Sequence, residues 1–144
     1  MSKIILISGT TASGKSEFAV KLAKKINGEI INADSMQIYK EIKILNTRPE
    51  KSLTNKVKHH LYGFHSVKKK FSVGHWLNLS NKKIEDILNK KKTPIIVGGT
   101  GLYFKSLTDW LAKIPNIPPK GRKEINKYQK KSGQKKFLKE LIKL

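Results

Sequence analysis

The chain has 144 residues, no cysteine, and 31 Lys and Arg against 10 Asp and Glu. This length suits one domain with a modest core, and the lack of cysteine excludes disulfide scaffolds, thiolate metal sites and cysteine nucleophiles. No run approaches the roughly 20 apolar residues of a membrane span, and the N-terminal apolar run is too short for a signal peptide. We therefore expect a soluble, cytoplasmic, monomeric protein with no membrane partner.

The formal net charge of +21 is the most unusual feature of the composition. Such an excess attracts polyanions, and nucleic acids are the commonest polyanions in a cytoplasm. Nearly all the basic residues are Lys, however, and Asn and Ile are abundant too, as expected from an AT-rich genome. Codon bias therefore explains the charge about as well as RNA binding does.

Along the chain, apolar runs alternate with segments of helical periodicity. The run 3–8 ends at Gly9 and predicts a strand buried on both faces. Strands are predicted at 3–8, 29–33, 59–64 and 93–97, and helices at 15–26, 75–90 and 101–113. This alternation predicts an α/β fold with a mainly parallel sheet and flanking helices.

The composition changes after Ile114, where Pro115, Pro118 and Pro119 interrupt the chain. Two short basic helices are predicted beyond them, separated by a turn at Ser132–Gly133. We therefore divide the chain into a core, 1–114, and a helical segment, 115–144.

The segment after the first strand carries the strongest chemical signal. Residues 9–16 read Gly-Thr-Thr-Ala-Ser-Gly-Lys-Ser, which is a P-loop pattern, and a helix is predicted to begin there. Its backbone N–H groups and the helix N-terminus would bind phosphate, and Lys15 would reach a terminal phosphate. The Ser16 hydroxyl would join the shell of a Mg²⁺ ion that the phosphates complete. The pattern indicates a diphosphate site without naming the molecule.

Asp34 follows the second predicted strand, at the sheet edge where α/β proteins bind ligands. Its position fits a magnesium-side carboxylate, a general base that faces a second substrate, or a cap for the following turn. At the end of the strand 93–97, Gly98–Gly99 stands where a P-loop hydrolase often has the aspartate of its Walker B motif. Glycines there would let the backbone approach a ligand closely, and their presence weakens the ATPase interpretation.

Three ordered motifs resemble the tRNA dimethylallyltransferase family, also called tRNA isopentenyltransferases. The P-loop differs from the family pattern only by Thr10 for Pro and Ser16 for Thr. The family's Asp-Ser-x-Gln-x-Tyr and Gly-Gly-Thr-x-Leu-Tyr motifs match residues 34–39 and 98–103, and a His-His-Leu occurs at 59–61. The resemblance extends over about residues 3–125 and implies a P-loop NTPase-like fold.

The resemblance implies transfer of a dimethylallyl group from dimethylallyl diphosphate to N6 of the adenosine next to the anticodon in tRNA. Lys15 and Asp34 are implied as catalytic residues, with Mg²⁺ as cofactor. The diphosphate would lie against Gly9, Thr10, Thr11, Ala12, Ser13, Gly14, Lys15 and Ser16. Contacts with tRNA are implied for Asp34, Ser35, Met36, Gln37, Thr100 and Arg122.

Family members are about twice as long and carry a later Gln-Arg-x-x-Arg segment that contacts tRNA. The chain resembles the first part of such a protein and ends in the start of its helical insertion, so we expect it to bind the donor but transfer poorly by itself. One alternative is a small-molecule kinase, but such a kinase would need a lid rich in Arg and this chain has only two Arg. The other alternative is an inactive, basic RNA-binding remnant.

Overall fold

The computed structural model describes residues 3–42, 48–49, 51–109 and 118–143. They belong to two compact units, Met1–Leu111 and Ala112–Leu144. The predicted boundary between residues 114 and 115 lies outside the described residues.

The first unit is a parallel sheet with helices along the chain between its strands. Its elements are β1 (Ile5–Ser8), α1 (Lys15–Lys25), β2 (Gly28–Asn32), α2 (Lys51–Thr54), β3 (His59–His60), α3 (Val73–Asn89), β4 (Thr93–Gly98) and α4 (Gly101–Thr108). The strand order is β1-β4-β2-β3, and every pairing is parallel. The predicted α/β fold is confirmed, and the carboxyl ends of the strands meet at one edge.

Apolar side chains alternate between the two faces of β2 and β4 and form a core on each side of the sheet. On one face, Ile30 and Ile95 pack with Ala19 and Ala23 of α1. On the other face, Ile31, Ile96 and the helix α3 form the second cluster. Because both faces of these strands are covered, the adjacent residues Ile30 and Ile31 of β2, and Ile95 and Ile96 of β4, are all buried.

The prediction that the first strand is buried on both faces is wrong. Among the described strands, β1 pairs with β4 alone. Leu6 is 41% exposed, and Ile4, which lies just before the strand, is 47% exposed. Ile5 and Ile7 pack against the α1 side. Leu6 is in register with Ile96, but the α3 cluster does not bury it. The continuous apolar run of β1 therefore belongs to a strand that is covered on one face only.

Two further differences concern short elements. The strand predicted at 59–64 is confined to His59–His60, and the four-residue helix α2 was not predicted. Leu61 turns the chain out of the sheet with a φ of +62°. The helix predicted at 101–113 is described as far as Thr108, and most of its remainder lies outside the described residues.

The second unit contains the two predicted basic helices, α5 (Pro119–Ser132) and α6 (Gln134–Leu141). Gly133 joins them with a φ of +76°, a conformation that favours glycine. The Tyr128 hydroxyl donates to Glu140 at 2.6 Å and holds the pair together. Among the described residues, no helix has the length and apolarity needed to cross a membrane.

A buried ionic cluster joins β2, β3 and the start of β4. Glu29 is 2% exposed, and its carboxylate oxygens lie 2.7 Å from His60 Nε2 and 2.8 Å from Lys92 Nζ. Burial alone would raise the pKa of Glu29, but the hydrogen bonds and charges of Lys92 and His60 outweigh it and lower the pKa from 4.5 to about 2.

We predict that this cluster makes stability fall in acid. The folded pKa of Glu29 lies below its unfolded value, so its contribution is full above pH 4.5 and is lost as the pH falls from 4.5 toward 2. Glu29→Gln should lower the free energy of unfolding at pH 7 by about 1–3 kcal/mol and flatten its acid dependence. Urea unfolding between pH 7 and 3 measures both effects.

The matched control is Glu85→Gln, which removes an exposed carboxylate from α3. It should change the free energy of unfolding by less than about 0.5 kcal/mol. An equal loss of unfolding free energy in the two variants would show that the Glu29 contacts do not stabilise the fold.

Candidate functional site

The loop between β1 and α1 has the geometry of a phosphate-binding loop. Ala12 and Gly14 take positive φ values of +62° and +79°, which turn the backbone sharply before α1 begins at Lys15. Lys15 Nζ donates to the Thr10 carbonyl and, at 3.3 Å, to the Ser13 hydroxyl. The lysine therefore crosses the loop, where its charge adds to that of the helix N-terminus.

A cavity of about 570 Å³ joins this loop to the carboxyl ends of the strands. Residues 11–17 form one wall, and Asp34 with Gln37 forms part of another. Residues 97–99, at the end of β4 and just after it, also line the cavity. The sequence predicts Asp34 at this edge of the sheet, and the structure shows in addition that the loop and Asp34 line one cavity.

Three hydrogen bonds fix the course of the chain around Asp34. The Asp34 N–H donates to Asn32 Oδ1, and the Met36 N–H donates to Asp34 Oδ1, each at 2.9 Å. The Gln37 N–H also donates to the Asp34 carbonyl at 3.2 Å. Asp34 therefore caps its own turn, as one of the three interpretations held, and lines the cavity as well.

Thr100 connects the Gly-Gly-Thr segment to the Asp34 turn. Its hydroxyl accepts from the Ser35 N–H at 2.9 Å and donates to the Ser35 hydroxyl at 3.2 Å. Its own N–H donates to the Ala33 carbonyl at 3.1 Å. The structure thus brings together Ser35 and Thr100, two of the residues predicted to contact tRNA.

The remaining predicted residues differ in their surroundings. Gly9 and Thr10 precede the part of the loop that lines the cavity. Met36 is 55% exposed beside the Asp34 turn. Arg122 lies exposed on α5, in the second unit.

The glycine pair at the end of β4 lines the cavity, where the predicted approach of a ligand stays a prediction, and it also lets backbone segments approach each other closely. A Cβ on Gly98 would lie 2.1 Å from the Ala33 carbonyl oxygen, and one on Gly99 would lie 3.3 Å from the Gly9 carbonyl oxygen. Gly98 therefore lets the ends of β2 and β4 approach each other, which places Asp34 at the cavity.

Gly98→Ala is expected to lower the free energy of unfolding by about 1–3 kcal/mol or more, because backbone atoms must move to admit the methyl group. Gly101→Ala is the matched control, since a Cβ there meets nothing within 4 Å. Urea denaturation of both variants tests this, and equal stability of the two would contradict it.

Sequence reasoning missed the outer wall of the cavity, which Arg48, Pro49, Ser52, Leu53 and Tyr62 form. Burial first, and then the charge of Asp34, raise the pKa of Tyr62, so its hydroxyl stays protonated at neutral pH. Arg48 packs closely on Gly63, and a Cβ on Gly63 would lie 1.6 Å from Arg48 Nη1. The only signals in the sequence were the rarity of Arg and the His-His-Leu that precedes Tyr62.

The cavity suits a magnesium ion that is bound mainly by phosphate and water. No group of three or more His, Cys, Asp or Glu side chains could hold a metal within the described part of the chain. Mg²⁺ needs no such cage, because it keeps several waters and takes one or two protein oxygens beside substrate phosphates. The Ser16 hydroxyl, which lines the cavity, is a donor of that kind.

Known proteins are similar to this chain in sequence and in fold. A relative from Pelagibacter ubique, a tRNA dimethylallyltransferase, is 65% identical over 143 residues, which are 99% of this chain and 46% of that protein. The full-length tRNA isopentenylpyrophosphate transferase of Bacillus halodurans superposes with a TM-score of 0.76 and 31% identity, over 92% of this chain and 44% of that one. A eukaryotic dimethylallyltransferase acting on tRNA also gives a TM-score of 0.76, with 33% identity over 83% of this chain and 31% of its own.

The chain spans about half the length of the curated relatives it matches. The family model described as IPP transferase matches residues 37–144, from the cavity wall at Gln37 through both basic helices. The chain belongs to the IPP transferase family.

Proposed function

We propose that this chain supplies the donor site and the general base of a tRNA dimethylallyltransferase. The observation that carries the proposal is that the phosphate loop and Asp34 both line the same cavity, of about 570 Å³. A diphosphate on the loop would direct its allylic carbon toward the carboxylate, where an acceptor amine can be deprotonated.

The proposed reaction is a displacement at an allylic carbon. The adenosine N6 attacks C1 of dimethylallyl diphosphate, the bond from C1 to oxygen breaks, and diphosphate leaves. Lys15 and the N–H groups of the loop stabilise the charge that develops on the diphosphate. Asp34 accepts the proton that N6 loses, and its Met36 hydrogen bond keeps one oxygen in place for that step.

Mg²⁺ on Ser16, when bound, would neutralise part of the diphosphate charge. For tRNA, we propose contacts with Asp34, Ser35, Met36 and Gln37, with Thr100, and with Arg122 of the second unit. The adenosine must leave its stack to reach the cavity. The monomeric state and the cytoplasmic location stay predictions.

Transfer can be tested in a chimaera in which the 143 matched residues of this chain replace those of the Pelagibacter ubique relative. The chimaera is incubated with unmodified tRNA, Mg²⁺ and labelled dimethylallyl diphosphate, and the digested tRNA is analysed for isopentenyl-adenosine. We expect labelled product next to the anticodon. A chimaera that folds and binds tRNA but forms no product would refute the proposed function.

A further inference from the structure

Asn32, the last residue of β2, is a fully buried polar residue at the edge of the candidate site. Its side chain is 0% exposed and does not line the cavity. A buried amide is costly unless its donors and acceptor are hydrogen-bonded. The contacts that satisfy it therefore show what it holds in place.

The Asn32 amide binds both backbone groups of Asp34. Its Oδ1 accepts from the Asp34 N–H at 2.9 Å, and its Nδ2 donates to the Asp34 carbonyl at 3.0 Å. The first of these bonds makes an Asx turn. With its N–H and its carbonyl both engaged, Asp34 has little freedom to rotate about its backbone.

The same amide also bonds to the segment that leads to Tyr62. Asn32 Nδ2 donates to the Leu61 carbonyl at 3.0 Å, and Leu61 holds a φ of +62°, which is uncommon for its residue type. Tyr62, the next residue, lines the cavity. Asn32 thus connects the segment that carries Asp34 to the segment that carries Tyr62.

Asn32 is itself held by the core. The Trp76 indole N–H donates to the Asn32 carbonyl at 2.8 Å, and Trp76 is 0% exposed. Tyr103 stacks on the indole with its ring centroid 4.2 Å away. The support therefore runs from α3 and α4 through Asn32 to the site.

We propose that Asn32 is the positioning residue of the site, which sets the direction of the Asp34 carboxylate and its separation from Tyr62. This rests on the proposed function, in which Asp34 is the general base. A base works only within a narrow range of positions, and a displacement of about 1 Å can cost about 100-fold in rate.

The test compares Asn32→Ala with Asn32→Ser in the chimaera. Alanine removes all three side-chain bonds. The serine hydroxyl can still accept from the Asp34 N–H in the equivalent Ser turn, but it cannot replace both donations. We expect kcat to fall about 10- to 100-fold in Asn32→Ala, with KM for the donor changed less than about threefold, and Asn32→Ser to lie between.

Two controls separate positioning from general destabilisation. Ser80→Ala removes another fully buried polar group, whose hydroxyl has no hydrogen-bond partner among the residues that the structure describes. Ile87→Ala destabilises the α3 cluster without touching Asp34. Both should keep kcat near that of the unsubstituted chimaera, measured where the protein is folded.

A second measurement needs no turnover. Hydrogen exchange of the Asp34 amide in the 144-residue chain should be about tenfold or more faster in Asn32→Ala, intermediate in Asn32→Ser and unchanged in Ser80→Ala. Unchanged exchange in Asn32→Ala would overturn the inference. If the unsubstituted chimaera is active, an unchanged kcat in Asn32→Ala would also overturn the inference, and the proposed function would then stand. An unsubstituted chimaera that folds and binds tRNA but forms no product would instead refute both.

Discussion

Replacing Lys15 by alanine is expected to raise the dissociation constant for dimethylallyl diphosphate with Mg²⁺ at least about 100-fold. The ammonium group crosses the loop and donates to the Thr10 carbonyl and the Ser13 hydroxyl. When the diphosphate is bound, the same two N–H groups of Lys15 would donate to its phosphate oxygens. Each charge-assisted hydrogen bond contributes about 1.5–3 kcal/mol, so losing two costs roughly 3 kcal/mol or more. Isothermal calorimetry on the 144-residue chain measures the change.

The matched control for this prediction is Lys21→Ala. Lys21 lies exposed on the same helix, carries the same charge and does not line the cavity. Its loss should change the dissociation constant less than about threefold, because an exposed charge is screened by salt. An unchanged constant in Lys15→Ala would show that the loop is not the diphosphate site.

Asp34→Asn should leave donor binding nearly unchanged and lower kcat in the chimaera by about two to four orders of magnitude, the usual range for a general base. The amide keeps the size of the side chain and can still accept from the Met36 N–H. It cannot accept the proton that N6 must lose. Single-turnover rates with labelled donor, beside a calorimetric titration of the donor, separate these two effects.

Asp86→Asn is the control for Asp34→Asn, because it neutralises an exposed carboxylate that pairs with Lys83 on α3. It should leave both quantities unchanged. If Asp34→Asn weakens binding of Mg²⁺ and donor as much as it lowers kcat, Asp34 belongs to the metal site and the base lies elsewhere.

The phosphate loop could be predicted from the sequence because its geometry is local. The strand, the glycine-rich turn and the helix that make it lie within residues 5–25, and each has its own signal. The position of Asp34 at the ligand-binding edge of the sheet also followed from the sequence, and the structure shows that Lys15 and Asp34 line one cavity there.

The rest of the site depends on contacts between distant residues. Tyr62 reaches the cavity through β3, which has only two residues, and α2 is a single turn; neither gives a periodic signal. The close approach of Gly98 to Ala33 appears only once β2 and β4 are paired. Exposure of Leu6 could not be predicted either, because an apolar run does not show how many faces of the strand are covered.

Asn32 lies between these two cases. An Asn two residues before Asp34 is the local signal of an Asx turn, so its bond to the Asp34 N–H could have been predicted. Its bond to the Leu61 carbonyl, 29 residues away, could not.

The most direct test of the central claim, that the cavity is an allylic diphosphate site, compares dimethylallyl diphosphate with ATP on the 144-residue chain, each with Mg²⁺. At about 100 times its dissociation constant a ligand stabilises by about 2.7 kcal/mol, which is roughly 5–11 °C in melting temperature. We predict a shift of this size for dimethylallyl diphosphate, its loss in Lys15→Ala, and a smaller shift for ATP at the same concentration. A large shift with ATP and none with dimethylallyl diphosphate would contradict the claim and favour a kinase.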